Sequence, residues 1–276
     1  MARNSSEIIQ SVINIGTAKS QQSFRAHFIL ALLAGIYIGF GAVLSIRVTG
    51  NLNPEMGNLI KLLFGLLFPV GLLMVLMAGA SLFTGDVMYM SASYTEGGRA
   101  SACGRYLTIS YLGNFLGSIF LAFLIYLSKV LLDKGADGTL PLAATAVNLA
   151  NGKCALPFLT AFVRGIVCNW LVCLAIFMSL SSDDGVSKAI LMWPPITAFV
   201  ALGMEHSVAN MFFIPLGLFL GSSQEVIESG ITLSASWGSF LIKNLIPVTL
   251  GNIVGGAFFV ALPYLWTRPK KVEKSA

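Results

Sequence analysis

The chain has 276 residues, of which 56% are hydrophobic and 11% charged. Soluble domains carry about 25% charged residues, so the composition excludes a soluble globular fold and points to one integral membrane domain. The formal net charge of +5 is small and scattered, which argues against a nucleic-acid partner.

Residues 1–25 are expected to form a cytoplasmic N-terminal segment, with no apolar core of the kind a cleavable signal needs. Within it Ile8, Ile9, Val12 and Ile13 have the spacing of a short amphipathic helix lying on the inner membrane surface. Six spans follow, at 28–46, 62–85, 106–128, 154–182, 189–224 and 244–267, each close to the roughly 20 residues a crossing helix needs. An even number puts both termini on one side. Most Lys and Arg residues, including Lys19, Arg25, Arg99, Arg105 and a basic tail over 268–276, fall on that side and make it cytoplasmic. The location implied is a cell (inner) membrane. The four cysteines have no disulfide or metal spacing and read as small apolar fillers; no cofactor, metal site or enzymatic constellation is expected.

Spans two and five are interrupted. Phe68-Pro69 leads through an apolar run to Gly79-Ala80-Ser81-Leu82-Phe83-Thr84-Gly85-Asp86, and Trp193-Pro194-Pro195 leads to Gly203-Met204-Glu205-His206-Ser207-Val208-Ala209-Asn210. Backbone freed at membrane depth survives only when buried in protein or lining a cavity. Span three also aligns with span six: eight of sixteen positions match between 112–127 and 250–265. Phe28, Ala31, Gly35 and Ile36 are aligned with Phe158, Ala161, Gly165 and Ile166, and Gly79 and Asp86 with Gly203 and Asn210. The chain thus reads as one channel domain with a first repeat at 26–135 and a second at 136–267. Three spans per half make the repeat inverted and bring the two breaks together near the midplane. Small residues four apart, Gly113/Gly117 and Gly251/Gly255, suit close helix packing.

Ionisable residues within a span are functional candidates. His206 either serves the pore or bonds freed backbone at the break. Glu205 is expected to tie down N–H groups of its own loop, with Asn210 as a second loop-stabilising residue. Thr84 either presents its hydroxyl to a pore or caps the following half-helix. Leu82, Phe83, Phe68, Leu72 and Phe199 can supply apolar rings above and below. Two half-helix N-termini aimed at the midplane favour an anion, and Lys153, in an outer loop before span four, adds a positive vestibule. Arg164 in span four reads as snorkelling or pairing between subunits.

The runs Leu82-Phe83-Thr84-Gly85, Gly203 through Phe212, Asn169 through Ala175 and Ile246 through Asn252 resemble the formate/nitrite transporter family over nearly the whole chain. The resemblance implies an all-α, aquaporin-like fold, a homopentamer with one pore per protomer, and passage of small monovalent anions: formate first, then nitrite, hydrosulfide or lactate. It implies a central histidine at His206, a loop threonine at Thr84, a pore asparagine at Asn169 and a vestibule lysine at Lys153. It also implies a cytoplasmic constriction at Phe68, Leu72 and Phe83 and a periplasmic one at Leu82 and Phe199. On this reading His206 hydrogen-bonds the anion and can give it a proton. The alternative, an aquaporin-like channel for water or neutral solutes, would carry an Asn-Pro-Ala motif in each break, and neither break has one.

Overall fold

The computed structural model describes residues 3–94 and 100–267; Arg99 and the basic tail lie outside the described residues. Helix α1, Ser5–Ser20, starts with a capping box in which Asn4 and Glu7 each bond the other's backbone N–H. Its apolar stripe, Ile8, Ile9, Val12 and Ile13, is buried in the protein core, not laid on lipid as the sequence suggested. The stripe packs on the 3₁₀ segment Val87–Tyr94, which follows the first break. That protein face supplies the apolar contact expected from the bilayer.

Helix α2, Phe24–Thr49, crosses first. Helices α3, Asn58–Leu67, and α4, Pro69–Met77, form one span. Pro69 interrupts it little, because a proline in the first turn of a helix lacks only an N–H that would be unpaired anyway. The chain then leaves the helix through Gly79, whose φ of +69° is strained for residues with a Cβ. It resumes as the four-residue α5, Phe83–Asp86, running into Val87–Tyr94. Helix α6, Ala100–Leu127, completes the first half. In the second half α7, Pro141–Cys154, precedes α8, Phe158–Ser179. Helix α9, Gly185–Ala201, is followed by a turn through Gly203, with φ +71°, then by α10, Ser207–Gly221, and the short α11, Gln224–Glu228. The last span, Ser239–Trp266, contains α12, Ile246–Gly256, between two π-helical stretches. Among the described residues five helices are long and apolar enough to cross a membrane; the fifth expected span is divided between α9 and α10.

Close backbone contacts reveal the repeat in three dimensions. A Cβ on Gly117 would stand 2.0 Å from Leu32 O, and one on Gly255 would stand 2.2 Å from Ile166 O. Gly113 meets Ala31, and Gly251 meets Gly165. These pairs keep the alignment of α6 with α12 but place Ala31 over Gly165, one helical turn from the register read in the sequence. A slip of four residues keeps the same helix face, so spacing alone did not expose it. The corrected register also lays α1 over α7. The latter occupies what the sequence reading treated as an outer loop.

Gly251→Leu should therefore abolish folded protein, because its side chain meets the Phe162 carbonyl at 2.2 Å. Gly104→Ala, with nothing within 4 Å, should leave the melting temperature within about 2 °C. Size-exclusion profiles and melting curves in detergent check both; a monodisperse Gly251→Leu protein would refute the packing argument.

Candidate functional site

Each break is held by an asparagine from the third span of its own half. The Phe83 N–H donates to Asn114 Oδ1 at 2.8 Å, and Asn114 Nδ2 donates to Ala31 O and Ser81 O at 2.7 and 2.9 Å. In the second half the Ser207 N–H donates to Asn252 Oδ1 at 2.8 Å, and Asn252 Nδ2 donates to Gly165 O and Glu205 O at 2.8 and 3.0 Å. Both asparagines are fully buried. An amide offers two donors and an acceptor from one group, which matches a backbone that has left its helix. Asn169 links the halves by donating to Thr84 O at 3.0 Å and Asn252 O at 2.6 Å. It holds the first loop and is not among the residues lining the cavity described below.

His206 caps α10. Its Nδ1 accepts the Ala209 N–H at 2.9 Å, and its Nε2 lies 2.9 Å from Thr84 Oγ1. An acceptor Nδ1 leaves the ring proton of a neutral imidazole on Nε2, which then donates to Thr84. Of the two alternatives left open for the histidine, the bond to backbone is present on one nitrogen, and the other nitrogen faces the first break. Thr84 does not cap α5, which has no side-chain cap bond.

A cavity of about 710 Å³ descends on one side to His206, Phe68, Phe199 and Phe213. The Phe68 and Phe199 rings meet edge-on, 5.9 Å apart, and Phe199 stacks on His206 at 5.8 Å. Phe68 therefore belongs with Phe199 and not with Leu72 and Phe83, correcting the expected division. Leu82 is buried and is not among the residues lining this cavity; its neighbour Ser81 accepts a hydrogen bond from Lys19 of α1 at 2.8 Å. Phe83 packs edge-on against Tyr111 at 4.9 Å, and Leu72 is buried.

Lys153 ends α7 and lines this cavity, but its Nζ is 2.9 Å from Glu205 Oε1. Glu205 Oε2 accepts from Asn210 Nδ2 at 2.7 Å and Asn244 Nδ2 at 3.3 Å. Glu205 thus holds side chains, not the N–H groups of its own loop as expected. Lys153 is a compensated charge rather than a free attractor. The α1 side carries the counterpart. Lys19, at the corrected register of Lys153, pairs with Asp86 at 2.9 Å. Each ammonium also sits 5.7 Å from a ring centre, Tyr89 for Lys19 and Phe213 for Lys153. The sequence reading missed Lys19, Asp86 as its partner, and the asparagine clamps. The Leu-Gly-Asn identity in spans three and six was the signal for the clamps; the lysines needed the four-residue register correction. The two half-helices differ in kind: α10 is a regular fifteen-residue α-helix, whereas the four-residue α5 continues as the 3₁₀ segment Val87–Tyr94.

Two interrupted helices meeting at a buried histidine, with a cavity reaching it, define an all-helical membrane channel built on an inverted repeat. The chain belongs to the formate/nitrite transporter family, whose pattern it matches over residues 6–266. It is 45% identical to a probable formate transporter of Methanothermobacter thermautotrophicus over 256 residues, covering 88% of this chain and 89% of the relative. It is 34% identical to the nitrite transporter NirC of Escherichia coli, covering 88% and 84%. A solved pentameric formate channel with formate bound matches with a TM-score of 0.78 at 33% identity, covering 88% of this chain and 96% of that one. The protein is therefore a multi-pass membrane channel or transporter of the formate/nitrite class, not an enzyme.

The ion pair in the cavity wall gives a stability test. Lys153→Met strands Glu205, whose side chain is 4% exposed, and should cost about 3–5 kcal/mol. Adding Glu205→Gln removes the stranded charge and should recover most of that loss. Unfolding of the single and double variants in detergent measures it; no recovery in the double variant would mean that the pair is not the relevant contact.

Proposed function

We propose that this chain conducts small monovalent weak-acid anions, formate first and nitrite, hydrosulfide or lactate after it, along a path through the His206–Thr84 contact. The observation carrying this reading is the His206 Nε2–H, presented beside the Thr84 hydroxyl at the meeting of two broken helices and reached by an aromatic-walled cavity. Phe68 and Phe199 form the filter on the cavity side, and Leu72, Leu82 and Phe83 form the one on the α1 side. Apolar rings of this kind admit an anion only as it sheds water, and they exclude larger or divalent ions. Asn169, Glu205 and Asn210 position the loops.

Moving a bare charge through such rings is far costlier than moving the neutral acid. His206 lowers the cost by donating Nε2–H. It is a poor proton donor, because only an imidazolium has a proton to hand over, and forming one would put hydrogen on Nδ1 and break the Ala209 bond that caps α10. The proton that neutralises the anion therefore comes from water in the vestibules, and flux rises as external pH falls. We also take the functional unit to be a homopentamer of one-domain protomers, with both termini cytoplasmic and no resident cofactor. The match to a pentameric channel and the many exposed apolar side chains on α6 and the last span support that assembly.

Formate uptake into proteoliposomes is expected for the wild type. His206→Phe should lower it at least 100-fold. His206→Asn, which can both cap α10 and donate, should retain measurable flux with the wild-type pH profile. A His206→Asn channel whose flux no longer responds to pH would assign the proton to the histidine and overturn this mechanism. Separately, Phe199→Ala or Leu82→Ala should admit larger carboxylates; an unchanged size cut-off in both would remove these residues from the filter.

A further inference from the structure

The two lysines at the pore mouths are each neutralised by a carboxylate at 2.9 Å. Neither supplies a free positive charge, so attraction of anions into the cavity needs another source. Arg164 lines the same cavity. It lies in the second turn of α8, within a membrane span. Its carbonyl accepts the Glu205 N–H at 3.3 Å, which ties its backbone to the loop carrying His206. Its guanidinium has no hydrogen-bond or acidic partner among the described residues. An arginine in a span is expensive unless it is paired or serves a wet pathway. Leu30 is its counterpart in the first half: the Ser81 N–H bonds the Leu30 carbonyl as the Glu205 N–H bonds that of Arg164. The charge is thus an addition to the second half and not required by the repeat.

We infer that Arg164 is a specificity-determining residue: the capture site of the cavity for planar two-oxygen anions, carboxylate or nitrite. A guanidinium presents two parallel N–H donors whose spacing fits two oxygens on one atom, which an ammonium cannot do. The ion held there stands one loop away from His206. Lys61 at the rim, bonded among the described residues to the neutral Asn58 side chain at 3.3 Å, adds a positive field without that geometry. This inference rests on the anion-channel reading above and narrows it: the cavity prefers a forked oxyanion over a spherical halide.

The full chain in proteoliposomes tests it at low ionic strength, with formate uptake followed against concentration and against nitrite or chloride as external competitors. Arg164→Lys keeps the charge and loses the fork. It should raise the formate half-saturation about tenfold, leave the maximal rate unchanged, and reduce the preference for nitrite over chloride by a similar factor. Arg164→Met should raise the half-saturation further while remaining a pentamer by size exclusion. Equal wild-type and Arg164→Lys preferences would overturn the proposal. So would a dissociated Arg164→Met protein, which would place the arginine in a subunit contact. A wild type that takes up no formate takes down the channel reading itself, and this inference with it. A conducting wild type with indifferent variants removes Arg164 alone.

Discussion

Every feature of the centre depends on one constraint: peptide groups released from a helix inside a membrane have no water to bond. Asn114 and Asn252 meet it by returning an acceptor and two donors to each break. Because each amide stands on a membrane-spanning helix, the loops are tied directly to the spans around them. Glycine contacts set that distance: Gly113 and Gly117 bring α6 onto α2, and Gly251 and Gly255 bring α12 onto α8. A larger side chain at any of the four would pull an asparagine away from its loop. Packing and polar satisfaction are therefore one design, and the pore geometry inherits its precision from both.

On this symmetric frame the chemistry is asymmetric. The two-fold relation that pairs Gly79 with Gly203 also pairs Leu82 with His206, so only one loop brings a ring nitrogen to the centre. The carboxylates have moved as well. The first half has Ser81 and Asp86 where the second has Glu205 and Asn210, yet a lysine reaches the acid in both. The α1 side adds a buried chain, with Ser110 Oγ donating to Asp86 at 2.5 Å and His27 Nε2 2.8 Å from Ser110. Both mouths keep a buried charge pair balanced while exposing different surfaces, which is how one repeat can serve two unlike sides of a membrane.

The sequence made the breaks and His206 legible because each violates what a membrane span tolerates, with proline, glycine and ionisable residues at depth; the repeat was legible in the identities between spans three and six. The clamps were half-legible. Asn114 and Asn252 stood inside the Leu-Gly-Asn identity, but nothing in a one-dimensional reading distinguishes a helix-packing motif from one that also bonds a distant loop. The pairing of Lys153 with Glu205 was hidden for the same reason, since 52 residues separate them. The placing of Phe68 required knowing which wall of α3 and α4 faces α9. The register of the first span failed because a slip of one turn preserves the face, and only backbone distances decide between the two.

The most direct measurement is a high-resolution structure of the lipid-reconstituted protein in saturating formate. The account predicts anion density within about 3 Å of His206 Nε2, with Asn252 still bonded to Ser207 and the α10 cap intact. Formate ordered only between protomers, beside an undisturbed His206–Thr84 contact, would contradict a path through the meeting of the broken helices.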